Sequence, residues 1–324
     1  MARGSPTVRV EVLRALDPAR TEAVWLLLKA VSETQGHPPL GEHRWLDLVQ
    51  GGRGARAAVL AYLEGHDHGP VGYAQLSGSV GNWSIDLAVH PHHRLPDPAA
   101  TSASGQQVEP DPIALALLEG AIAEAASAGG GHLHLWIPKP TSVDDATAEA
   151  AGLSKGRDLY QLRRPLPLEP SLAEAASGLA IRPFRVGVDE KRWLEVNNRA
   201  FSWHPEQGGW TIELLAEREA ESWFDPEGLL MHEQSGRLAG FCWTKIHSNQ
   251  SPPLGEIYVI ALDPDFQGRG LGRSLAVAGL EYLASRGLGI GMLYVDATNR
   301  PALALYGKLG FSLDHVDRAY VGDV

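Results

Sequence analysis

The sequence predicts an α/β fold, a mixed α+β sheet with helices packed on it, laid down twice in tandem. Three observations carry that reading. Apolar strand-like runs alternate with Ala- and Leu-rich helical stretches. The same order of elements occurs in both halves of the chain. Between the halves stands Arg163-Arg164-Pro165-Leu166-Pro167-Leu168-Glu169-Pro170, where three prolines in six residues disfavour helix and interior strand. This boundary divides the chain into domains 1–168 and 179–324.

In the first half, Pro70–Leu76 reads as a strand and Ile85–Pro91 as the next. A helix is expected over Ile113–Ala128, with the glycines after it as a C-terminal stop. A strand at His132–Ile137, a short helix and a last strand at Asp158–Arg163 complete the half. The second half opens with a strand at Leu179–Phe184 and a helix from Asp189 to Ala200, Asp189 being suited to the N-cap. Strands follow at Leu238–Trp243 and Ile257–Leu262. Then come a helix at Leu271–Ser285, a strand at Gly291–Val295, a short helix and a last strand at Phe311–Tyr320.

A chain of 324 residues is long enough for two domains of ordinary size. Hydrophobic content of 44% and charged content of 21% fit a soluble globular protein. A net charge of −11 argues against a nucleic-acid partner held by bulk charge, so any anion site must be local. The single cysteine, Cys242, excludes an internal disulfide framework and a multi-cysteine metal site. Within Gly240-Phe241-Cys242-Trp243 it reads as a small buried apolar side chain. No run of about 18 apolar residues predicts a membrane span, and Met1-Ala2-Arg3-Gly4-Ser5-Pro6 lacks an apolar signal core. A cytoplasmic monomer without metal is expected. His66, His68, His90, His92 and His93 lack the spacing and the carboxylate companion of a metal site.

The densest signal runs from Glu256 to Arg273. An apolar strand meets Asp263-Pro264, then Gln267-Gly268-Arg269-Gly270-Leu271-Gly272-Arg273, then a helix. Gly270 and Gly272 let a backbone approach a ligand with no Cβ in the way. Free N–H groups at the helix entrance can bind phosphate oxygens, and Arg269 and Arg273 add positive charge. A P-loop would need Lys-Ser or Lys-Thr after the glycines. A dinucleotide fingerprint would need G-x-G-x-x-G, whereas the glycines fall at 268, 270 and 272. The bland alternative is a Gly-rich helix entry with no ligand, and the elements on either side argue against it. In the first half the matching place reads His90-Pro91-His92-His93-Arg94-Leu95-Pro96-Asp97-Pro98, with no G-x-G before its helix. Prolines there remove N–H groups. That half is expected to have lost or weakened the phosphate cradle and to be non-catalytic.

A second pattern lies downstream, Asn299-Arg300-Pro301-Ala302-Leu303-Ala304-Leu305-Tyr306-Gly307-Lys308-Leu309-Gly310-Phe311, of the form N-x-x-A-x-x-x-Y-x-x-x-G-F. With it, the strand–turn–helix resembles the GCN5-related N-acetyltransferases (GNAT), which bind acetyl-CoA. The resemblance implies two tandem GNAT domains with acetyl-CoA as the acetyl donor. It implies cofactor contacts along Gln267–Arg273 and from Asn299, Arg300, Pro301, Ala302, Leu303 and Ala304. It implies further contacts at Ile260, Ala261 and Leu262, where a bulge would aim backbone N–H groups at the pantetheine amides and the thioester oxygen. Leu87, Ala88 and Val89 match that last set in the first half. Glu256 would take a proton from the substrate ammonium. It lies four residues before Ile260, on the same face by the two-residue strand period. Asn299 can cap its helix, and Tyr306 lies seven residues on, two turns later, where its hydroxyl can protonate the CoA thiolate.

Within that family, Asn197–Trp210, Trp223–Leu229 and Gly240–His247 resemble the tandem-domain acetyltransferases of actinobacterial thiol biosynthesis. In the first half the likeness covers the layout, Leu87–Pro91 and Gly41-Glu42. It implies a small-molecule amine as acceptor, a cysteinyl-glucosaminyl-inositol, with Glu42, Glu206, Lys245, Glu256 and Tyr294 at the substrate. A cationic amine with many hydroxyls calls for carboxylates and hydrogen-bonding groups around an open cleft. Taken alone, Glu206 reads as a loop surface residue, Lys245 as an exposed strand lysine and Tyr294 as core. Trp203, Trp210 and Trp223 read as packing rather than sugar platforms. Two other readings stay open. One is an N-acetyltransferase acting on an aminoglycoside or a protein N-terminal amine, against which His204-Pro205-Glu206-Gln207-Gly208 and Lys245 weigh. The other is a non-catalytic acyl-CoA sensor, against which the presence of Glu256 and Tyr306 weighs.

Overall fold

The computed structural model describes residues 7–35, 40, 55–65, 69–97, 108–174, 178–202, 208–248 and 250–324. Contacts divide the chain into two units, Met1–Leu159 with His315–Val324, and Tyr160–Asp314. The boundary at 168 and 179 therefore falls inside the second unit, and the end of the last strand belongs to the first. The strands Ser154–Pro165 and Ser312–Asp323 each pass from one unit to the other along their length. A proline run marks where regular structure stops. Compactness follows strand pairing, which that run does not encode.

The first unit contains β1 (Val8–Leu13), α1 (Pro18–Gln35), β2 (Ala55–Leu63), β3 (Gly72–Ser79), β4 (Gly81–Val89), α2 (Pro112–Ser127), β5 (Gly131–Pro138) and α3 (Ser142–Ala150). The elements up to β2 were not among those read from the sequence. Strands β1 to β4 pair antiparallel in chain order. β4 and β5 run parallel, which needs the crossover that α2 supplies. Residues 317–323 then pair antiparallel with β5. Alternate residues of β2 feed two cores, as the strand period requires. Val59 packs with Leu117, Leu118 and Ala121 of α2, and Leu60 with Val24, Leu27 and Val31 of α1.

The second unit contains residues 160–165 of β6 (Ser154–Pro165), β7 (Ile181–Pro183), α4 (Glu190–Ala200), α5 (Ile212–Glu219), β8 (Leu229–Gln234), β9 (Arg237–His247), β10 (Leu254–Leu262), α6 (Leu271–Ser285), β11 (Ile290–Asp296) and α7 (Arg300–Lys308). Its strand order is β6-β11-β10-β9-β8-β7. On one face of the sheet, Leu275, Leu280 and Leu283 of α6 pack on Cys242, Ile257 and Leu293. On the other, Trp193 of α4 and Leu215 of α5 pack on Phe241, Trp243 and Val259. Trp193 is fully buried, 5.0 Å from Phe241 and 5.5 Å from Trp243 between ring centroids. Residue 189 precedes α4 as expected, but the Asp189 carboxylate makes no cap bond. It accepts from Arg182 at 2.6 and 2.8 Å and from the Arg185 backbone at 2.9 Å instead. Burial alone would raise its pKa; these hydrogen bonds outweigh burial and bring it to about 2.

Candidate active site

The site begins with an irregularity in β10. Its pairing with β9 runs through Ile257↔Thr244 and resumes at Val259↔Trp243, leaving Tyr258 as the extra residue of a bulge. On its other side β10 pairs with β11 at Gly255↔Gly291 and Glu256↔Met292. Beyond Glu256 no pairing with β11 is seen among the described residues, so the two parallel strands part there. The bulge thus lies at Tyr258, earlier than the Ile260–Leu262 stretch where the resemblance put it.

The bulge also corrects the placing of Glu256 on the face of Ile260. Glu256 stands opposite Lys245, whereas Ile260 stands opposite Cys242. Positions 245 and 242 point to opposite faces of β9, so their partners do too. Ile260 and Leu262 pack with the α6 core. Glu256 shares the α4–α5 face with Lys245 and Trp243. One inserted residue inverts every side chain beyond it.

A cavity of about 550 Å³ opens where β10 leaves β11. Its wall is formed by Ile260, Ala261 and Leu262 from β10, and by Gln267, Gly268, Gly270, Gly272 and Arg273 from the turn. Asn299, Pro301, Ala302 and Tyr306 from α7 complete the predicted part. Ala200, Phe201 and Leu305 also line it and were not foreseen. Arg269, Leu271, Arg300, Leu303 and Ala304 stand outside the wall. The Arg269 guanidinium donates to the Asp265 carbonyl at 3.0 Å and lies over the Phe266 ring.

Gly270 is the N-cap of α6, left-handed at φ +81°, with no side-chain cap bond. A Cβ there would meet nothing within 4 Å, and one on Gly272 would meet only Leu262 at 3.7 Å. The space beside Gly270 and Gly272 is therefore open, and no side chain caps the entrance of α6 next to Arg273, an arrangement that fits a phosphate. Asn299 caps α7 by accepting from the Ala302 N–H at 3.2 Å. Tyr306 is 7% exposed. Burial raises its phenol above the ordinary range, and the neighbouring Cys242 sulfur adds to the effect. Such a phenol keeps its proton at neutral pH and can donate it. The Cys242 thiol is itself pushed up to about 12 by burial and packs as an apolar group.

On the α4–α5 face, the Oε2 atom of buried Glu256 lies 2.7 Å from His247 Nε2. Lys245 Nζ lies 4.3 Å above the Trp223 ring and 5.4 Å from that of Tyr258. Met292 pairs with Glu256, so Tyr294, two residues on, shares its face. Tyr294 is 38% exposed, not core, and its hydroxyl accepts from Gln161 Nε2 at 2.6 Å. The fold thus places Lys245, Glu256 and Tyr294 on one face of the sheet. Glu42, Glu206 and Trp203 lie outside the described residues. Trp210 packs on Trp193 at 5.5 Å and Trp223 on Trp243 at 5.9 Å, as packing residues should. His247 had no role in the sequence reading. Its one sequence signal was alternation with Lys245 along a strand.

The first unit closes the equivalent place. Leu87, Ala88 and Val89 line a cavity of only about 50 Å³ with Arg94, Asp111 and Asp144. The Asp111 carboxylate accepts from the N–H groups of Leu95 at 2.9 Å and of Ile113 and Ala114 at 3.0 Å. Arg94 donates to both oxygens of Asp144 at 2.8 Å. His90, His92 and His93 gather with ring centroids 5.2 and 5.7 Å apart. Among the described residues no group of three or more His, Cys, Asp or Glu is placed to hold a metal ion; His66 and His68 lie outside them. No described helix is long and apolar enough to cross a membrane.

The acetyltransferase (GNAT) family matches residues 192–311. A mycothiol acetyltransferase of Acidimicrobium ferrooxidans is 43% identical over 297 residues, 91% of either chain. That of Nocardia farcinica is 39% identical over 98% of both chains. That of Streptomyces coelicolor is 39% identical over 96% of this chain and 94% of its own. Two solved structures share the fold. A GCN5-related N-acetyltransferase from Sphaerobacter thermophilus superposes with a TM-score of 0.69 at 22% identity, covering 98% of this chain and 97% of its own. A tandem GNAT protein from the clavulanic acid biosynthesis pathway does so with a TM-score of 0.65 at 16% identity, covering 98% of each. The fold is therefore that of tandem GNAT domains.

Proposed function

We infer the reaction from membership: the chain belongs to the mycothiol acetyltransferases, a branch of the acetyltransferase (GNAT) family. It transfers the acetyl group of acetyl-CoA to an amine in mycothiol biosynthesis. The acceptor is the cysteinyl amine of cysteinyl-glucosaminyl-inositol, and the products are mycothiol and CoA. This reading displaces an aminoglycoside or protein N-terminal acceptor, and a non-catalytic acyl-CoA sensor.

One observation carries the site reading: left-handed Gly270 heads α6 without a side-chain cap, beside a cavity of about 550 Å³. Acetyl-CoA supplies an electrophilic thioester carbon. N–H groups between Gln267 and Arg273 hold its diphosphate, and Arg273 adds a charge-assisted contact. N–H groups of Ile260–Leu262, freed where β10 leaves β11, hold the pantetheine and polarise the thioester carbonyl. Asn299, Pro301, Ala302 and Tyr306 close the opposite wall. From the α4–α5 face Glu256 takes a proton from the acceptor ammonium. The freed amine attacks, the N–C bond forms, the C–S bond breaks, Tyr306 gives its proton to the departing thiolate, and the new amide nitrogen releases its second proton, which restores the Tyr306 phenol. Lys245 and Tyr294 hold the polar body of the acceptor. The first unit is non-catalytic. In this reading the enzyme works as a monomer in the cytoplasm, where acetyl-CoA is available.

An amine panel assayed with acetyl-CoA tests the acceptor. Cysteinyl-glucosaminyl-inositol should be acetylated, while glucosaminyl-inositol without the cysteine, an aminoglycoside and a peptide should stay at background. Equal or faster turnover of any of the other three would replace the acceptor.

A further inference from the structure

Glu256 is 7% exposed and has one close side-chain partner of known geometry, His247. The two sit diagonally across antiparallel strands. His247 stands opposite Leu254, and Glu256, two residues along, stands opposite Lys245, so both side chains share a face. Their separation of 2.7 Å is that of a strong hydrogen bond. An ionised carboxylate only accepts, so the imidazole donates through Nε2. That bond occupies Oε2 and leaves Oε1 for the ammonium.

The other charged and titratable groups around the pair come from three elements. Lys245 of β9 lies over Trp223 and Tyr258. Tyr258 of β10 feels Glu256 together with Arg218 of α5 and Glu221 just after it. Arg218 and Glu221 are themselves paired at 3.5 Å. Tyr294 of β11 is bonded to Gln161. Among all of these, imidazole is the one side chain whose ordinary ionisation falls in the neutral range.

We propose that His247 is the positioning residue of the catalytic base: its neutral imidazole orients the Glu256 carboxylate for proton removal, and its protonation weakens that base. This rests on Glu256 being the base. The proton balance of the reaction is unchanged. The first ammonium proton goes to Glu256, Tyr306 supplies the thiolate proton and is restored by the second proton of the attacking nitrogen, and His247 keeps its Nε2 proton throughout. An added charge on the imidazole stabilises the carboxylate and lowers its appetite for a proton. A charged His247 would therefore serve Glu256 less well as a base than a neutral one.

Four variants test this: H247Q, H247F, E256Q and the double variant H247F/E256Q. Each is assayed for kcat against pH at saturating amine, where kcat reports groups in the bound complex. Glutamine keeps an N–H donor where Nε2 was but cannot take a charge. H247Q should therefore retain neutral turnover within about threefold, and its acidic limb should move to lower pH. H247F should lose about 10-fold in kcat with an unchanged KM for acetyl-CoA. E256Q should lose about 100-fold or more, and H247F should add nothing in the double variant. A wild-type profile for H247F beside an impaired E256Q would sink the role of His247 and spare the base. Equal losses in H247Q and H247F, or additive losses in the double variant, would also overturn it. E256Q at the wild-type rate would remove the base reading itself. Should H247F melt early, the acidic limb of H247Q decides, and an unmoved limb overturns the proposal.

Discussion

Helix α6 begins at Gly270 and helix α2 at Asp111, at equivalent places in the two units. Both helices must satisfy the free N–H groups of a first turn. Asp111 does so from within: its own carboxylate accepts from Ile113, Ala114 and, across the turn, Leu95. Gly270 offers no side chain, and the entrance of α6 opens on a cavity of about 550 Å³ instead of about 50 Å³. The strand before each helix differs as well. β10 carries the bulge at Tyr258, whereas β4 pairs with β3 without a break from Gly72↔Val89 to Ser79↔Asn82. One residue past the Gly255↔Gly291 pair stands Glu256; one past Gly81↔Gly131 stands Asn82. Four residues before Gly310 stands Tyr306; four before Gly152 stands Ala148, buried. The helix caps agree: Asn299 and Thr141, each eleven residues before that glycine, both accept from a first-turn N–H. What the units share holds a fold together. What they do not share lies at the cavity of the second unit or at Glu256.

The comparison can be broken most sharply by G270D, which writes the first unit's cap into the second. Aspartate tolerates the left-handed conformation better than most residues. Its carboxylate would take N–H groups meant for phosphate and repel the ligand. Two lost charge-assisted bonds of about 2 kcal/mol each amount to about 10³-fold in acetyl-CoA affinity. Calorimetry with acetyl-CoA checks this, and an unchanged affinity would show that the helix entrance is not the phosphate seat. Next in size is Y306F, which removes the acid that the first unit lacks. It should lower kcat about 10²-fold and leave acetyl-CoA affinity near normal. Unaltered turnover would send the thiolate proton to another donor. The smallest effect belongs to D111A in the first unit. Loss of the cap should cost about 1 kcal/mol of stability, read by thermal or denaturant unfolding, with turnover unchanged. Acetyl-CoA should still bind one per chain; a second equivalent would mean that Asp111 alone keeps the first unit shut.

Some of the site was legible because its signals are short-ranged. Glycines at 268 and 270 are needed where φ is positive, and both positions are left-handed. Asn299 and Tyr306 are spaced along one helix, and both reach the cavity. The prolines and missing glycines of the first half predicted a poor phosphate seat; that the Asp111 carboxylate takes the N–H groups of Ile113 and Ala114 was not foreseen. Other readings failed for a common reason. Asp189 does stand at the N-cap of α4, but its carboxylate goes to Arg182, which the pairing of β7 with β8 puts in reach. The face of Glu256 was inverted because a strict period of two has no room for the extra residue at Tyr258. Ala200 and Phe201 enter the cavity wall from a helix end about sixty positions away in sequence from Ile260.

By itself, then, the sequence determined many of the elements from β3 onward, the glycine-borne turn and the spacing of Asn299 and Tyr306. These follow from backbone preferences and intervals inside a single element. Only the tertiary structure decided that the chain's last residues pair with β5 in the first unit, that β10 parts from β11 after Glu256, and that Glu256 meets His247 and Lys245. Such outcomes depend on the register between strands, and register is set by contacts among residues distant in the chain rather than by any local preference.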